Sequence, residues 1–304
     1  MALRSTIGVT VLAGLSGCLG GSRSAEELSA VPSDQCEREC LVETLDAYLQ
    51  AMIANDTSLL VLSTHPRLTE NGKEVKLGEG LWRTARQLGN YRAYIVDSGQ
   101  RGVAVQTVLF DGSTQVQLML RLKVVGRRIS EVETLIARQG DTCCWDPARL
   151  DSLSKVFEEP IPPSERHTRE ELIAVADAYF TALHTAGTPA YRRTVVAAGM
   201  NRYENGKRTT NVVGGNPIIR RDAQAQLDGA MFGRISVVNR RYSVVDIERG
   251  TLLGTVVFEY PDSDRPSEII SELVKIRGGV VQEIRAVMVK LPSSGWPSTR
   301  PFSQ

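Results

Sequence analysis

The stretch Glu70-Asn71-Gly72-Lys73 occurs a second time as Glu204-Asn205-Gly206-Lys207, 134 residues further on. Working outward, Asp46-Ala47-Tyr48 returns as Asp177-Ala178-Tyr179 at an interval of 131, and Glu131-Val132 is answered by Glu283-Ile284 at 152. The order is kept while the interval drifts, which is the signature of one domain written twice with an insertion in the second copy. An interval this long means tandem domains and not a solenoid, whose units run to about 20–50 residues.

The bulk properties agree. A chain of 304 residues suits two domains, each large enough for a core of its own. Hydrophobic residues make up 42% and charged residues 23%, with a formal net charge of +1. The arginine pairs at 127–128, 192–193, 220–221 and 240–241 are scattered among acids. That is solvated surface charge, without the basic clustering that nucleic-acid binding needs. No nucleic-acid partner is expected.

The two ends read differently from the middle. Arg4 precedes a short apolar run, Ile7 to Leu15, which is too short to span a bilayer. The run ends in Leu15-Ser16-Gly17-Cys18. These residues resemble the lipobox of bacterial lipoproteins, and the resemblance implies cleavage before Cys18 and acylation of that cysteine. Residues 1–17 are then a signal peptide and 18–34 a small, polar tether. Leu19 in place of an inner-membrane aspartate signal implies an outer-membrane location in a Gram-negative host. Residues 293–304, rich in Pro and Ser, read as a disordered tail.

Four cysteines remain once Cys18 is set aside: Cys36, Cys40, Cys143 and Cys144. An even number in an exported protein reads as disulfides, with three connectivities open. The favoured one ties the first helix to the segment after the last strand of the first domain. Closing a loop of about 100 residues would stabilise by roughly 4–5 kcal/mol. A four-cysteine zinc site is the rival, but neither C-x-x-x-C nor C-C matches the usual C-x-x-C knuckle. No metal is expected.

Within the first unit, residues 35–150, Leu41, Leu45, Tyr48, Leu49 and Met52 fall on one helical face. Asn55-Asp56-Thr57 breaks that helix and caps a short second one, Ser58 to Ser63. Asn71-Gly72 marks a tight turn, and Leu81-Trp82 leads into a helical stretch ending near Leu88. The period then becomes two: Tyr91–Val96, Val103–Phe110, Thr114–Val125 and Arg128–Ala137 read as strands. The second unit, 165–292, repeats the plan with a helix over Leu172–Leu183. Its strands are Tyr242–Glu248, Leu252–Tyr260, Glu268–Arg277 and Val281–Val289. An inserted loop containing Val212 to Pro217, followed by a helical Asp222–Leu227, lies at the mouth of this domain. Residues 151–164, with Glu158-Glu159-Pro160-Ile161-Pro162-Pro163, read as a stiff linker. Helices followed by a run of antiparallel strands is the α+β layer pattern.

A long amphipathic helix, a short second helix, an acidic turn and a curled antiparallel sheet resemble the nuclear transport factor 2-like, or ketosteroid-isomerase-like, cone fold. Thr69-Glu70-Asn71-Gly72-Lys73, Leu77-Gly78-Glu79-Gly80-Leu81-Trp82 and Tyr242 to Gly250 look like an exported family built from two such cones. The resemblance implies a pocket inside each cone. In ketosteroid isomerases a first-helix tyrosine donates to the substrate oxygen and an acid beyond the second helix moves the proton. Tyr48 and Glu70 fall at those places, and Tyr179 and Glu204 repeat them. The isomerase also has an acid on a central strand, where this chain carries Leu118, so half of the electrophile is missing.

Two functions from different classes follow. One is an extracytoplasmic lipoprotein that holds a small, largely apolar molecule or a protein partner, with a homodimer as an allowed assembly. The other is a cofactor-free isomerase, dehydratase or lyase using Glu70 as base, Tyr48 as donor and His65 as an auxiliary group. Trp82, Tyr94, Tyr179 and Glu204 are the expected pocket residues. The first cone keeps the compact turn with His65 nearby and is expected to hold the principal site. The Gly-rich insertion is expected to shut or reshape the second. Three dispersed histidines without H-E-x-x-H spacing, and no G-x-S-x-G elbow, argue against a zinc or serine hydrolase.

Overall fold

A computed structural model describes residues 36–194 and 196–291. Cys18, the leader, the tether and the tail lie outside the described residues. The first half contains α1 (Arg38–Ala54), β1 (Leu62–Glu70), β2 (Lys73–Glu74), β3 (Ala85–Asp97), β4 (Gly102–Asp111), β5 (Thr114–Val125) and β6 (Arg128–Ala137). The second contains α2 (Arg169–Thr185), β7 (Val196–Glu204), β8 (Lys207–Arg208), α3 (Ala223–Asp228), β9 (Ser236–Asp246), β10 (Thr251–Glu259), β11 (Glu268–Arg277) and β12 (Val280–Lys290).

Each half forms one six-stranded sheet. The orders are β2-β1-β6-β5-β4-β3 and β8-β7-β12-β11-β10-β9, the same topology twice. All neighbours are antiparallel except β1 with β6 and β7 with β12, which run parallel. Register shifts within β3 against β4, and β9 against β10, bend both sheets at the same place. The fold is α+β in two tandem domains.

Three layers of core explain the sequence pattern. Leu41, Leu45, Tyr48, Leu49 and Met52 of α1 are buried against Val103, Val105, Leu118 and Leu120 on the inner face of the first sheet. Leu172, Ala176, Tyr179 and Phe180 of α2 do the same with Leu252, Val256, Ile270 and Val274. The opposite faces of the two sheets pack on one another, through Ile95, Ala104, Val108 and Met119 from the first and Val244, Leu253, Ile269 and Val287 from the second. Strands buried on both faces read as near-continuous apolar runs, as β4, β5, β10 and β11 do.

The contact between halves has approximate two-fold symmetry. Arg38 on α1 makes a bidentate pair with Asp246 of the second half, at 2.7 and 3.0 Å, and Arg169 on α2 pairs with Asp97 of the first. Asp246 also accepts from the backbone N–H of Val96 at 3.2 Å, and Asp97 from that of Val245 at 3.0 Å. The same side chains are used in both directions, as in an isologous dimer.

Several sequence expectations need correction. Residues 58–63 are not a helix: a single 3-10 turn at Thr57–Leu59 gives way to β1. Trp82 lies in a second 3-10 turn, Gly80–Arg83, and the chain is already extended at Ala85. The strands before the two Asn-Gly turns, β1 and β7, have mixed burial, so their alternation is weak in sequence. The linker is not a free spacer. It buries Phe157 and Ile161, and Lys275 Nζ donates to the Glu159 carbonyl at 3.0 Å. Cys36 is bonded to Cys40, so no disulfide joins the first helix to the segment after β6, and no four-cysteine zinc site forms. Cysteines four apart at a helix start share a face and meet at a Cα separation of 5.2 Å. Among the described residues, no helix is long and apolar enough to cross a membrane.

Candidate functional site

The repeated motif is first of all a structural clamp. Asn71 stands in the left-handed region, φ 48°, as does Asn205, φ 43°. The Asn71 side chain accepts from the Ile136 N–H at 2.7 Å and donates to the Ile136 carbonyl at 3.2 Å. Asn205 makes the same pair with Met288, at 2.9 and 3.0 Å. In each half the asparagine fastens the turn to the parallel neighbour strand. The repeated aspartates are also structural. Asp46 accepts from Tyr94 Oη at 2.6 Å and Asp177 from Tyr242 Oη at 2.7 Å, latching each long helix to its sheet.

The interior of the first half is committed to packing. Tyr48 is buried, and its hydroxyl accepts from Trp82 Nε1 at 3.0 Å, with the rings in T-shaped contact. Burial pushes the Tyr48 phenol well above its usual range, so it stays neutral. Glu70 accepts from the Leu81 N–H at 2.8 Å and lies on Gly80, where a Cβ would come within 2.4 Å of the carboxylate. His65 is exposed on β1. Glu70 and Tyr48 thus have internal partners, while His65 lies exposed on the strand.

The second half departs at two equivalent positions. Glu70, Thr134 and Leu120 are successive neighbours across β1, β6 and β5. Glu204, Ala286 and Glu272 are the same neighbours across β7, β12 and β11. Glu272 therefore stands where the first half has Leu120. By the same register Arg202 stands where the first half has Leu68.

These substitutions open onto a cavity of about 240 Å³. Its apolar wall comes from Leu183, Ile219, Phe232, Ile235, Phe258 and Met288. Its polar groups include Tyr179, Arg202, Glu204 and Glu272, with Lys207, Tyr260 and Arg265. Arg202 is 2% exposed and fully engaged. It forms an ion pair with Glu204 at 2.8 Å and donates to Gln226 at 2.6 Å, to Thr209 Oγ1 at 3.2 Å and to Tyr179 Oη at 3.2 Å, and its guanidinium lies 4.9 Å from the Phe232 ring centre. Burial alone would depress Arg202, but Tyr179 and Glu204 outweigh it and hold the guanidinium above its usual value.

Glu272 differs from Glu204, the other acid lining the cavity. It is 3% exposed, and its Oε2 has no hydrogen-bond partner. Burial raises its pKa to about 8, against the pull of Arg202, so it carries a proton at neutral pH. A neutral carboxylic acid on a cavity wall is a hydrogen-bond donor with nothing in the protein to donate to. The inserted segment builds this cavity and does not close it: Asn216, Ile218 and Ile219 line it.

At the rim, Cys143 and Cys144 come from the segment that follows β6. Their sulfurs are 2.7 Å apart, and Cys144 Sγ lies 3.7 Å from Glu204 Oε2. The hydrogen bond from Cys144 lowers the Cys143 pKa, and the same bond together with burial raises that of Cys144. This segment is fastened to the second Asn-Gly turn, with Asn205 Nδ2 donating to Thr142 at 3.0 Å and the Asp146 N–H to the Asn205 carbonyl at 2.9 Å. Gly206 has φ +79°, and a Cβ there would come within 2.1 Å of the Asp146 carbonyl.

A profile described as Domain of unknown function (DUF8021) matches residues 34–136 and again residues 165–288. The chain belongs to this family. Its two matched spans carry the two long helices and the two sheets, and the segment with Cys143 and Cys144 falls between them. A search of the curated proteins gives no match.

Of the residues singled out from sequence, Tyr179 and Glu204 line the cavity. Trp82 packs on Tyr48, Tyr94 latches the helix, and Tyr48, Glu70 and His65 stand as described above. Sequence reading missed Arg202, Gln226 and Glu272. The signal was available: aligning the two copies on their Asn-Gly turns sets Arg202 against Leu68, and aligning them on Glu131 and Glu283, at the longer interval, sets Glu272 against Leu120.

Proposed function

We propose that the second half binds a small, largely apolar molecule carrying a carbonyl-type oxygen, within an exported lipoprotein built of two nuclear transport factor 2-like cones. The observation that carries this reading is Glu272, a buried donor without a partner on the wall of an apolar cavity. Small-molecule sites combine apolar walls with a few placed polar groups, and leaving a buried donor unpaired costs roughly 1–3 kcal/mol. A ligand oxygen recovers that cost. Arg202 and Glu204 neutralise one another, so a neutral ligand suits the cavity better than an acid. The long helix laid on a curled sheet, twice over, supports the cone reading, and the Cys36–Cys40 disulfide supports export to an oxidising compartment.

Matched pairs of small ligands test this. A cyclic ketone should bind more tightly than the hydrocarbon of the same shape, and Glu272→Leu should abolish the difference while leaving hydrocarbon binding intact. Equal affinity for both members in the unaltered protein would contradict the proposal.

One observation favours a second reading, cofactor-free proton transfer. A carboxyl that titrates near pH 8 shares the cavity with the ion-paired Glu204, and acids tuned toward ambient pH serve general acid–base chemistry. Catalysed exchange of the α-hydrogens of a bound ketone with deuterated solvent, lost in Glu272→Gln, separates catalysis from binding alone.

A further inference from the structure

Cys143, Cys144 and Glu204 place one ligand atom each within 4.8 Å of one another on the rim of the second-half cavity. We propose that these three residues bind a divalent cation of the zinc class, with its fourth position open toward the cavity.

The donor set fits such an ion. Two thiolates and a carboxylate suit a borderline-soft cation, and three protein ligands with a fourth position free is the arrangement of sites that accept an exogenous ligand. Glu204 is already oriented for it. Its Oε1 is held by Arg202 at 2.8 Å, which leaves Oε2 turned toward Cys144 at 3.7 Å. A charged partner that fixes a ligating carboxylate is the usual outer support of a metal site. The separation of Oε2 from Cys144 Sγ is already close to that of two ligands on one zinc ion. The two sulfurs must part from 2.7 Å to about 3.8 Å, set by zinc–sulfur bonds of about 2.3 Å. Cys143 is exposed and free to make that adjustment.

Charge and anchoring agree. Lys207 and Arg265, cations on the same cavity wall, offset part of the charge that two thiolates bring. A divalent cation with two thiolates adds no net charge to the site. The cysteine segment is pinned to the second Asn-Gly turn at Thr142 and Asp146, on either side of the two sulfurs, so their position does not depend on a free loop. The site goes beyond the ligand-binding reading, because the cation needs neither Glu272 nor the apolar wall.

The test uses the full chain, reduced with a phosphine and freed of metal, and titrated with Zn²⁺ against a chromophoric chelator. One equivalent should bind. Cys144→Ser and Glu204→Gln should each weaken binding by at least tenfold, while a Cys36→Ser/Cys40→Ser protein binds normally. Co²⁺ should give a thiolate-to-metal charge-transfer band that is halved in Cys143→Ser. Glu204→Gln keeps the shape of the side chain, and far-ultraviolet circular dichroism checks that it folds. Failure of the reduced protein to take up stoichiometric zinc would overturn the site, as would equal uptake by a Cys143→Ser/Cys144→Ser protein. Zinc uptake that persists in Glu272→Leu after the ketone preference is lost would show that the two sites are independent.

Discussion

At position 272 a carboxyl group stands where the first half has a leucine, and the consequence is a pH dependence that can be measured. The Glu272 pKa rises from 4.5 in the open chain to about 8 in the fold, because burial disfavours the charged form more than Arg202 favours it. Between those values the native state holds a proton that the unfolded chain has released. Stability therefore falls as pH rises from about 4.5 toward 8 and levels off above. Glu272→Gln should remove this slope and raise stability at pH 8 by on the order of 4–5 kcal/mol, at about 1.4 kcal/mol per pKa unit. Urea midpoints of both proteins from pH 5 to 9 check this, and parallel curves would contradict it. Nothing in the apolar run around residue 272 advertises such a role. The periodicity of β11 gives a strand whether its inner face carries leucine or glutamate. Only comparison of the two copies makes position 272 stand out. Tyr48 and Glu70 show the converse. Both were legible as a tyrosine–acid pair, yet Trp82 and the Leu81 N–H occupy them, contacts that no spacing in the sequence reveals.

At the scale of elements, the second Asn-Gly turn and the cysteine segment behave as one unit. Gly206 is needed twice, for its left-handed backbone and for the approach of the Asp146 carbonyl. Gly206→Ala should cost more than the roughly 1–2 kcal/mol of the backbone conformation alone. It should also lift residues 142–146 away, seen as faster alkylation of Cys144. Gly72→Ala in the first copy, at the equivalent left-handed position (φ 77°), should leave Cys144 unchanged. The main strands and both long helices were readable from period, and the structure adds a complete capping box of Thr168 with Glu171 at the start of α2. The short connections were not. Residues 58–63 follow a cap signal at Asp56, but the chain makes only a 3-10 turn at Thr57–Leu59 before entering β1 at Leu62, and the strand that β1 pairs with, β6, lies some sixty residues away. The disulfide was misassigned for a related reason: the longer loop offers more entropy, but the Cys36–Cys40 bond needs only one helical turn. Peptide mapping without reduction should find Cys36 and Cys40 linked to each other. A peptide joining either one to Cys143 or Cys144 would contradict the fold described here.

At the scale of the molecule, the two halves share a core and a reciprocal pair of ion pairs, and should unfold together. Calorimetry should show one transition. Asp97→Asn and Asp246→Asn should each lower stability of the whole by about 3–5 kcal/mol, the range for stripping one partner from a buried charge pair. Two resolved transitions would mean that the sheet-to-sheet core is not cooperative. Tandem duplication was plain from the Asn-Gly motifs, but the division of labour was not. Symmetry in sequence hid an asymmetry of contents, with a packed interior around Tyr48 and Trp82 and an open one around Arg202 and Glu272. The most direct test of that asymmetry is methyl NMR of the full chain during titration with a small cyclic ketone. The account predicts that the shifts of Leu183, Ile219, Ile235 and Met288 move with ligand while those of Ile53, Leu68, Leu118 and Ile136 stay still. Movement confined to the first set of residues is required. Perturbations centred on Leu68 and Leu118 would place the site in the wrong half and contradict the account.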